Sequence, residues 1–355
     1  MRAPGAAAVG TAIFFNTPEC LSRTFRLVTL STPPTLPPEW RALVAAASEQ
    51  LRKLALNEEV KDRFCSDPVL RPFMHRVSAR YVAGRSVHDV LRRVQQINER
   101  GHAASAEFMG ESCRDESKAN SETEVFLRLI QGVAQRQLNC SISFDLSHVG
   151  SLVDPDLGYH NANRIAGAAA AAGREVMISM EAADRTDDIY ATYARLCTEA
   201  KRTNVGITVP VRLRRTDDDL PRLMTFPGRI RLVKGAYPDP EDVAYSRGSP
   251  ELPVRFRRFA TQLLIGGCKC SIATHDRSIQ HDLASLIMER GLDARRYEFE
   301  SLIGLGTEQI DELRRRGFPT REYAVFGEEH FLYVLNRIAE EPLRVYQALV
   351  DLLET

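Results

Sequence analysis

Two stretches of this chain run apolar and then stop abruptly in charge. They are Ile230-Arg-Leu-Val-Lys-Gly-Ala-Tyr237 and, further on, Cys270-Ser-Ile-Ala-Thr-His-Asp276. A short apolar run bounded by Gly or Pro reads as a buried strand. Polar groups bunched at the carboxyl ends of successive strands are what a (β/α)8 barrel presents at its active face. Candidate strands cover residues 105–109, 141–146, 176–180, 206–211, 229–233, 270–274, 297–302 and 322–326. Helical segments lie between them, among others at 122–136, 161–172, 188–201 and 255–264. This alternation predicts an α/β fold, a TIM-type (β/α)8 barrel over residues 101–355. A doubly wound sheet fits less well, because no G-x-G-x-x-G separates the first strand from its helix.

Ahead of the barrel, residues 1–36 are rich in Ala, Gly, Thr and Pro and end in Thr32-Pro-Pro-Thr-Leu-Pro-Pro38, which reads as a flexible leader. Residues 37–100 read as a helical arm. One helix spans 39–63, with Trp40, Leu43, Val44, Ala47, Leu51 and Leu54 on one stripe; others span 69–81 and 87–98, the last stopped by Gly101. Lys plus Arg and Asp plus Glu both number 47. That balance argues against a nucleic-acid surface. No apolar run is long enough for a transmembrane segment. Seven scattered cysteines, with only Cys268 and Cys270 close together, suit reduced thiols in the cytoplasm and offer no metal site.

From about Ser78 to Pro342 the chain resembles the proline dehydrogenase family. The segments that carry the resemblance are Arg80-Tyr-Val-Ala-Gly84, Phe108-Met-Gly-Glu111, Arg231-Leu-Val-Lys-Gly-Ala-Tyr237, Ala273-Thr-His-Asp276, Glu298-Phe299 and Arg321-Glu-Tyr-Ala-Val-Phe-Gly327. Asn336-Arg-Ile-Ala-Glu-Glu-Pro342 is similar to the family's R-R-x-x-E-N-P ending. The resemblance implies FAD on the carboxyl face of the barrel. It implies that Val209, Pro210, Arg231, Lys234, Gly235, Ala236, Thr274 and His275 line the cofactor, with Arg231 at the flavin N5 edge. A permanent cation there favours the reduced ring. It also implies a helix over residues 328–341, closing on the barrel mouth with Phe331, Val334, Leu335 and Ile338 as its apolar stripe.

On the substrate side the chain departs from the family. Asp145 stands where relatives have Lys, Ser179 where they have Asp, and Glu300 where Gln is usual. Pro210-Val-Arg212-Leu213 replaces Q-A-Y-L, and Asn336 replaces the first of two arginines that clamp the proline carboxylate. Arg337 and Glu340 remain, as do Tyr237, Leu302 and Tyr323. Losing half of a two-arginine clamp weakens plain L-proline as a ligand. Arg231, Asp145 and Tyr323 are the expected catalytic set. Asp145 is the candidate base, expected to face Arg212 across the mouth.

Three readings stay open on sequence alone. The first is an FAD enzyme oxidising a C–N bond of an amine or imino acid other than proline, with an unidentified electron acceptor. The second is a working proline or hydroxyproline dehydrogenase. The third is a silent flavin-binding or accessory barrel.

Overall fold

The structure is a computed structural model that describes residues 38–353 apart from 111, 329 and 341. The expected leader over residues 1–36, and Glu111 of the second motif, lie outside the described residues. The chain divides between Leu43 and Val44, and the barrel belongs to the larger unit, Val44–Thr355.

Eight parallel strands close in sequence order into a barrel. They are β1 (Ala103–Phe108), β2 (Cys140–Phe144), β3 (Val176–Ile178), β4 (Val205–Pro210), β5 (Ile230–Val233), β6 (Cys270–Ala273), β7 (Tyr297–Leu302) and β8 (Thr320–Phe326). The barrel is preceded by α1 (Pro38–Ala55), α2 (Glu58–Ser66), α3 (Leu70–Tyr81) and α4 (Val87–Glu99). Between the strands run α5 (Glu116–Gln135), α6 (Pro155–Ala171), α7 (Thr186–Thr198), α8 (Thr216–Leu223), α9 (Glu251–Ile265), α10 (Arg277–Arg290) and α11 (Thr307–Arg315). After β8 come α12 (His330–Glu340) and α13 (Arg344–Leu353). Among the described residues no helix is long and apolar enough to cross a membrane.

Each strand divides its side chains between two very different surroundings, because successive residues point to opposite faces. Outward positions such as Ile142, Phe144, Ile207, Val209, Ile230 and Leu232 are buried against the helices in one continuous apolar core. Each such side chain contributes on the order of 2 kcal/mol. Inward positions are unusually polar for a barrel, whose interior is ordinarily layered with Val, Ile and Leu. Ser105, Ser141, Ser143, Arg231, Ser271, Glu298, Glu300 and Arg321 are all buried. A fold that buries this many charges has to pair them.

The predicted helix over 39–63 is two helices. Asn57 breaks it, because its side chain accepts the Val60 N–H at 3.1 Å and so caps a new start. Helix α5 begins six residues before the predicted start: Asp115 accepts the Lys118 N–H at 2.7 Å, and the polar first turns carry no apolar stripe to read. Helix α4 opens with a capping box between Ser86 and Asp89 and lies against β1 and β8. It covers the outer face that a helix after β8 would otherwise take. The chain after β8 is thereby free to cross the mouth as α12. Its stripe of Phe331, Val334, Leu335 and Ile338 is buried in a second apolar cluster with Met74, Val77 and Tyr81 of α3 and with Leu305 and Val325 near the strand ends.

Candidate active site

The barrel interior is stacked in polar layers. In the lowest, Arg321 Nε donates to Glu298 at 2.8 Å and Nη1 to Ser141 Oγ at 3.0 Å and to the Ala104 carbonyl. Ser271 also donates to Glu298. Burial alone raises the Glu298 pKa, but Arg321 and Arg229 outweigh it and hold the carboxyl down at about 2.

The next layer is built on Arg231. Its Nε donates to Glu300 Oε2 at 3.0 Å, and its Nη2 lies 3.0 Å from Glu300 Oε1, close enough for charge attraction though not aligned as a hydrogen bond. Nη2 also donates to Ser105 Oγ at 2.9 Å and Ser143 Oγ at 3.0 Å. Two small serines leave room for the guanidinium to cross the barrel, and Glu300 fixes its plane. Register puts Thr208 beside Arg231, and its Oγ1 is buried without a partner. Above, the Arg231 carbon lies 4.9 Å from the centroid of the Tyr323 ring.

At the top of the barrel a buried carboxylate takes over. Glu107 of β1 accepts a hydrogen bond from the Tyr323 hydroxyl and another from Ser179 Oγ at 2.8 Å. Burial pushes the Glu107 carboxyl up from the ordinary range, although these two donors, Arg231 and His148 pull the other way. Burial, and then the Glu107 carboxylate, raise the Tyr323 phenol well above its usual value, and Asp145 adds to that. Asp145, just past the end of β2, thus acts on the same ring. Sequence reasoning missed Glu107, Ser105, Ser143 and Thr208. Closing the sheet brings β1 against β8, and Glu107 within reach of a tyrosine 216 positions away.

The rim beyond the strand ends is cationic. Lys234, Gly235 and Ala236 follow β5, and Thr274 and His275 follow β6. Burial lowers the Lys234 pKa, Arg247 and Arg212 lower it further, and Glu340 and Asp276 oppose them. Burial, Arg52, Arg212 and Arg337 likewise depress Arg247. His275 Nε2 accepts the Leu302 N–H at 3.1 Å, so the neutral ring carries its proton on Nδ1. Burial, with Arg344 and Arg337 nearby, brings the His275 pKa down to about 4. On α12, Arg337 Nη2 pairs with Glu340 at 2.8 Å, its carbon lies 5.2 Å from the Tyr333 ring centroid, and its Nε is buried without a partner. Asn336, half-buried, precedes it on the same helix.

Two expectations need correction. Arg212 does not pair with Asp145. β4 ends at Pro210, so Arg212 lies beyond the strand, where its stem packs so close to Gly235 that a Cβ there would meet Arg212 Cγ at 2.7 Å. Its guanidinium turns into the following loop, donating to the carbonyls of Tyr237 and Tyr245 and facing Asp239 at 3.6 Å. Val209, expected beside the cofactor, points outward into the strand–helix core by simple alternation, while Pro210 faces inward.

The family model described as proline dehydrogenase matches residues 90–342. The chain belongs to the proline dehydrogenase family. It is a family of flavin-dependent oxidoreductases acting on CH–NH groups. The chain is 29% identical to proline dehydrogenase 1 of Bacillus subtilis (strain 168) over 265 residues, covering 74% of this chain and 86% of that one. It is also 29% identical to proline dehydrogenase of Deinococcus radiodurans over 286 residues, 80% of this chain and 92% of that one. Among solved structures, proline utilization A from Bdellovibrio bacteriovorus, inactivated by N-propargylglycine, superposes with a TM-score of 0.71 at 15% identity. That match covers 88% of this chain and 43% of the longer one, and it shows the shared barrel.

Proposed function

We propose that the protein is an FAD-dependent dehydrogenase that oxidises a C–N bond of a small amine or imino acid other than unmodified L-proline. The residues at the mouth suit FAD. Lys234, Arg247, Arg212 and Arg337 crowd together with each other's charge opposing them, a set that a pyrophosphate neutralises. Thr274 and the Nδ1–H of His275 add neutral donors beside them, and Gly235 and Ala236 bring bare backbone to the same edge. When bound, FAD supplies a two-electron, hydride-accepting ring.

The observation that carries the substrate reading is the pair of acids at the mouth. Glu107, gripped by Tyr323 and Ser179, and Asp145 beside the same tyrosine suit an ammonium group. The carboxylate side is thin by contrast: Asn336 cannot clamp, and Arg337 is already shared with Glu340. The reaction balances in the usual way for this class. A C–H bond breaks with its electron pair leaving as hydride, the N–H proton passes to a carboxylate, and a C=N bond forms. A carboxyl whose pKa is raised by burial is the better proton acceptor near neutral pH, which favours Glu107 in that role. Arg231, held flat by Glu300, orients rather than roams.

The test is an oxygen-free titration of the FAD-loaded protein, following loss of flavin absorbance with L-proline, proline amide and pyrrolidine. We expect an amine without a free carboxylate to reduce the flavin about tenfold faster than proline or more. Proline as the fastest reductant would return the protein to ordinary proline oxidation. Failure to bind FAD at all would leave an accessory barrel.

A further inference from the structure

The outer face of β8 carries a second charged cavity, unrelated to the mouth. Glu322 and Tyr323 are adjacent in the strand and therefore point to opposite sides. Tyr323 faces the barrel interior. Glu322 forms the floor of a cleft of about 310 Å³ between α3, α4 and the start of α11. Four arginines line it: Arg76 and Arg80, one turn apart on α3, and Arg93 and Arg100 from α4 and its end. Arg80 belongs to the Arg-Tyr-Val-Ala-Gly motif, whose Tyr81 and Val82 pack with α12 while Arg80 lines this cleft.

Glu322 is committed to one of them. Its carboxylate meets Arg100, which also reaches Asp311 at 3.3 Å. Arg93 is different. Among the described residues it makes no ion pair, and its Nε is buried without a hydrogen-bond partner. Burial and the nearby Arg100 destabilise its charge, and only Glu322 opposes them. A half-buried guanidinium without a counter-charge is costly unless something else supplies one. Thr307, also in the lining, opens the nine-residue helix α11, whose N-cap Gly306 offers no side chain, so a positive helix end adds to the field.

The cleft continues into a neighbouring recess of about 330 Å³ that shares Arg93. Ser78 lines that recess with its Oγ buried and unpartnered. Guanidinium groups approaching from two helices, with a helix end opposite, suit a tetrahedral anion better than a planar one. A carboxylate is satisfied by one guanidinium; a phosphate has oxygens for several.

We propose that this cleft is a binding site for a phosphate group, free or carried on a small organic molecule, with Arg93 as its central ligand and Ser78 positioned to meet what the phosphate carries. Two probes separate the sources: inorganic phosphate and glycerol 3-phosphate. Each is titrated calorimetrically into the full chain with FAD added, against potassium chloride of matched ionic strength. We expect one site per chain. Arg93→Met should weaken it about tenfold or more, the loss of a charge-assisted contact. Arg128→Met should leave affinity within about twofold, because Arg128 is exposed on α5 and lines neither the cleft nor the recess. Tighter binding of glycerol 3-phosphate, lost in Ser78→Ala, assigns the recess to the organic part; equal affinity assigns the site to the phosphate alone. Without phosphate, Arg93→Met should melt no lower than wild type, since it removes an unpaired charge. No binding beyond that of chloride overturns the proposal. So does binding abolished by Lys234→Ala but not by Arg93→Met, or a phosphate-free Arg93→Met that melts clearly lower.

Discussion

Compare the lower layers of the barrel with its rim. Around Arg321 and Glu298, donors and acceptors meet at 2.8–3.0 Å and the carboxylate is held near pH 2 by its partners. Around Lys234 and Arg247, burial lowers both pKa values and neighbouring arginines lower them further, against the opposing pull of Glu340. Both regions are polar, the first built on strand residues and the second on the loop that follows β5. One is satisfied within the protein; the other, in the function proposed above, is the part that an anionic cofactor completes.

The largest expected effect lies in the saturated region. Glu298→Ala leaves Arg321 buried without its counter-ion and should cost about 3–5 kcal/mol in denaturant unfolding. A loss below about 1 kcal/mol would erase the contrast. His275 gives the next effect, through pH. Its folded pKa of about 4 is depressed from the ordinary 6.5, so the unfolded chain takes up the proton first as pH falls. The stability it contributes is complete above pH 6.5 and is lost progressively down to about pH 4, by roughly 3 kcal/mol at most. Unfolding curves of wild type and His275→Asn across that window should diverge, the variant losing less on acidification. Parallel curves would mean that His275 is not buried as described. The smallest effect belongs to the pair of Arg337 and Glu340 on α12. The two side chains lie three apart on one helix and are partly exposed, at 15% and 30%, so Glu340→Gln should change the melting free energy by about 1 kcal/mol. A larger loss would move this pair into the saturated class.

The barrel was legible because its outward strand positions are apolar runs separated by helices, and every strand ends within two residues of where the pattern puts it. The start of α5 was not legible, since its first turns face solvent and are set by a single cap at Asp115. Arg231 stood out as an arginine inside an apolar run. Its partners did not: Ser105 and Ser143 look like ordinary strand residues until closure places them under one guanidinium. Glu107 was hidden for the same reason, as a lone acid in Ala-Ala-Ser-Ala-Glu-Phe. Arg212 misled because period-two reasoning was carried past Pro210, where the strand has ended and the side chain answers to Asp239 in an aperiodic loop.

The most direct test of the contrast is the melting temperature of Lys234→Ala beside wild type, each measured stripped of flavin and again with saturating FAD. If Lys234 is an unsatisfied cation kept for a ligand, the stripped variant melts no lower than stripped wild type and loses much of the FAD-induced rise. A stripped variant that melts several degrees lower, with the FAD-induced rise intact, would show that Lys234 serves the fold and would contradict the account.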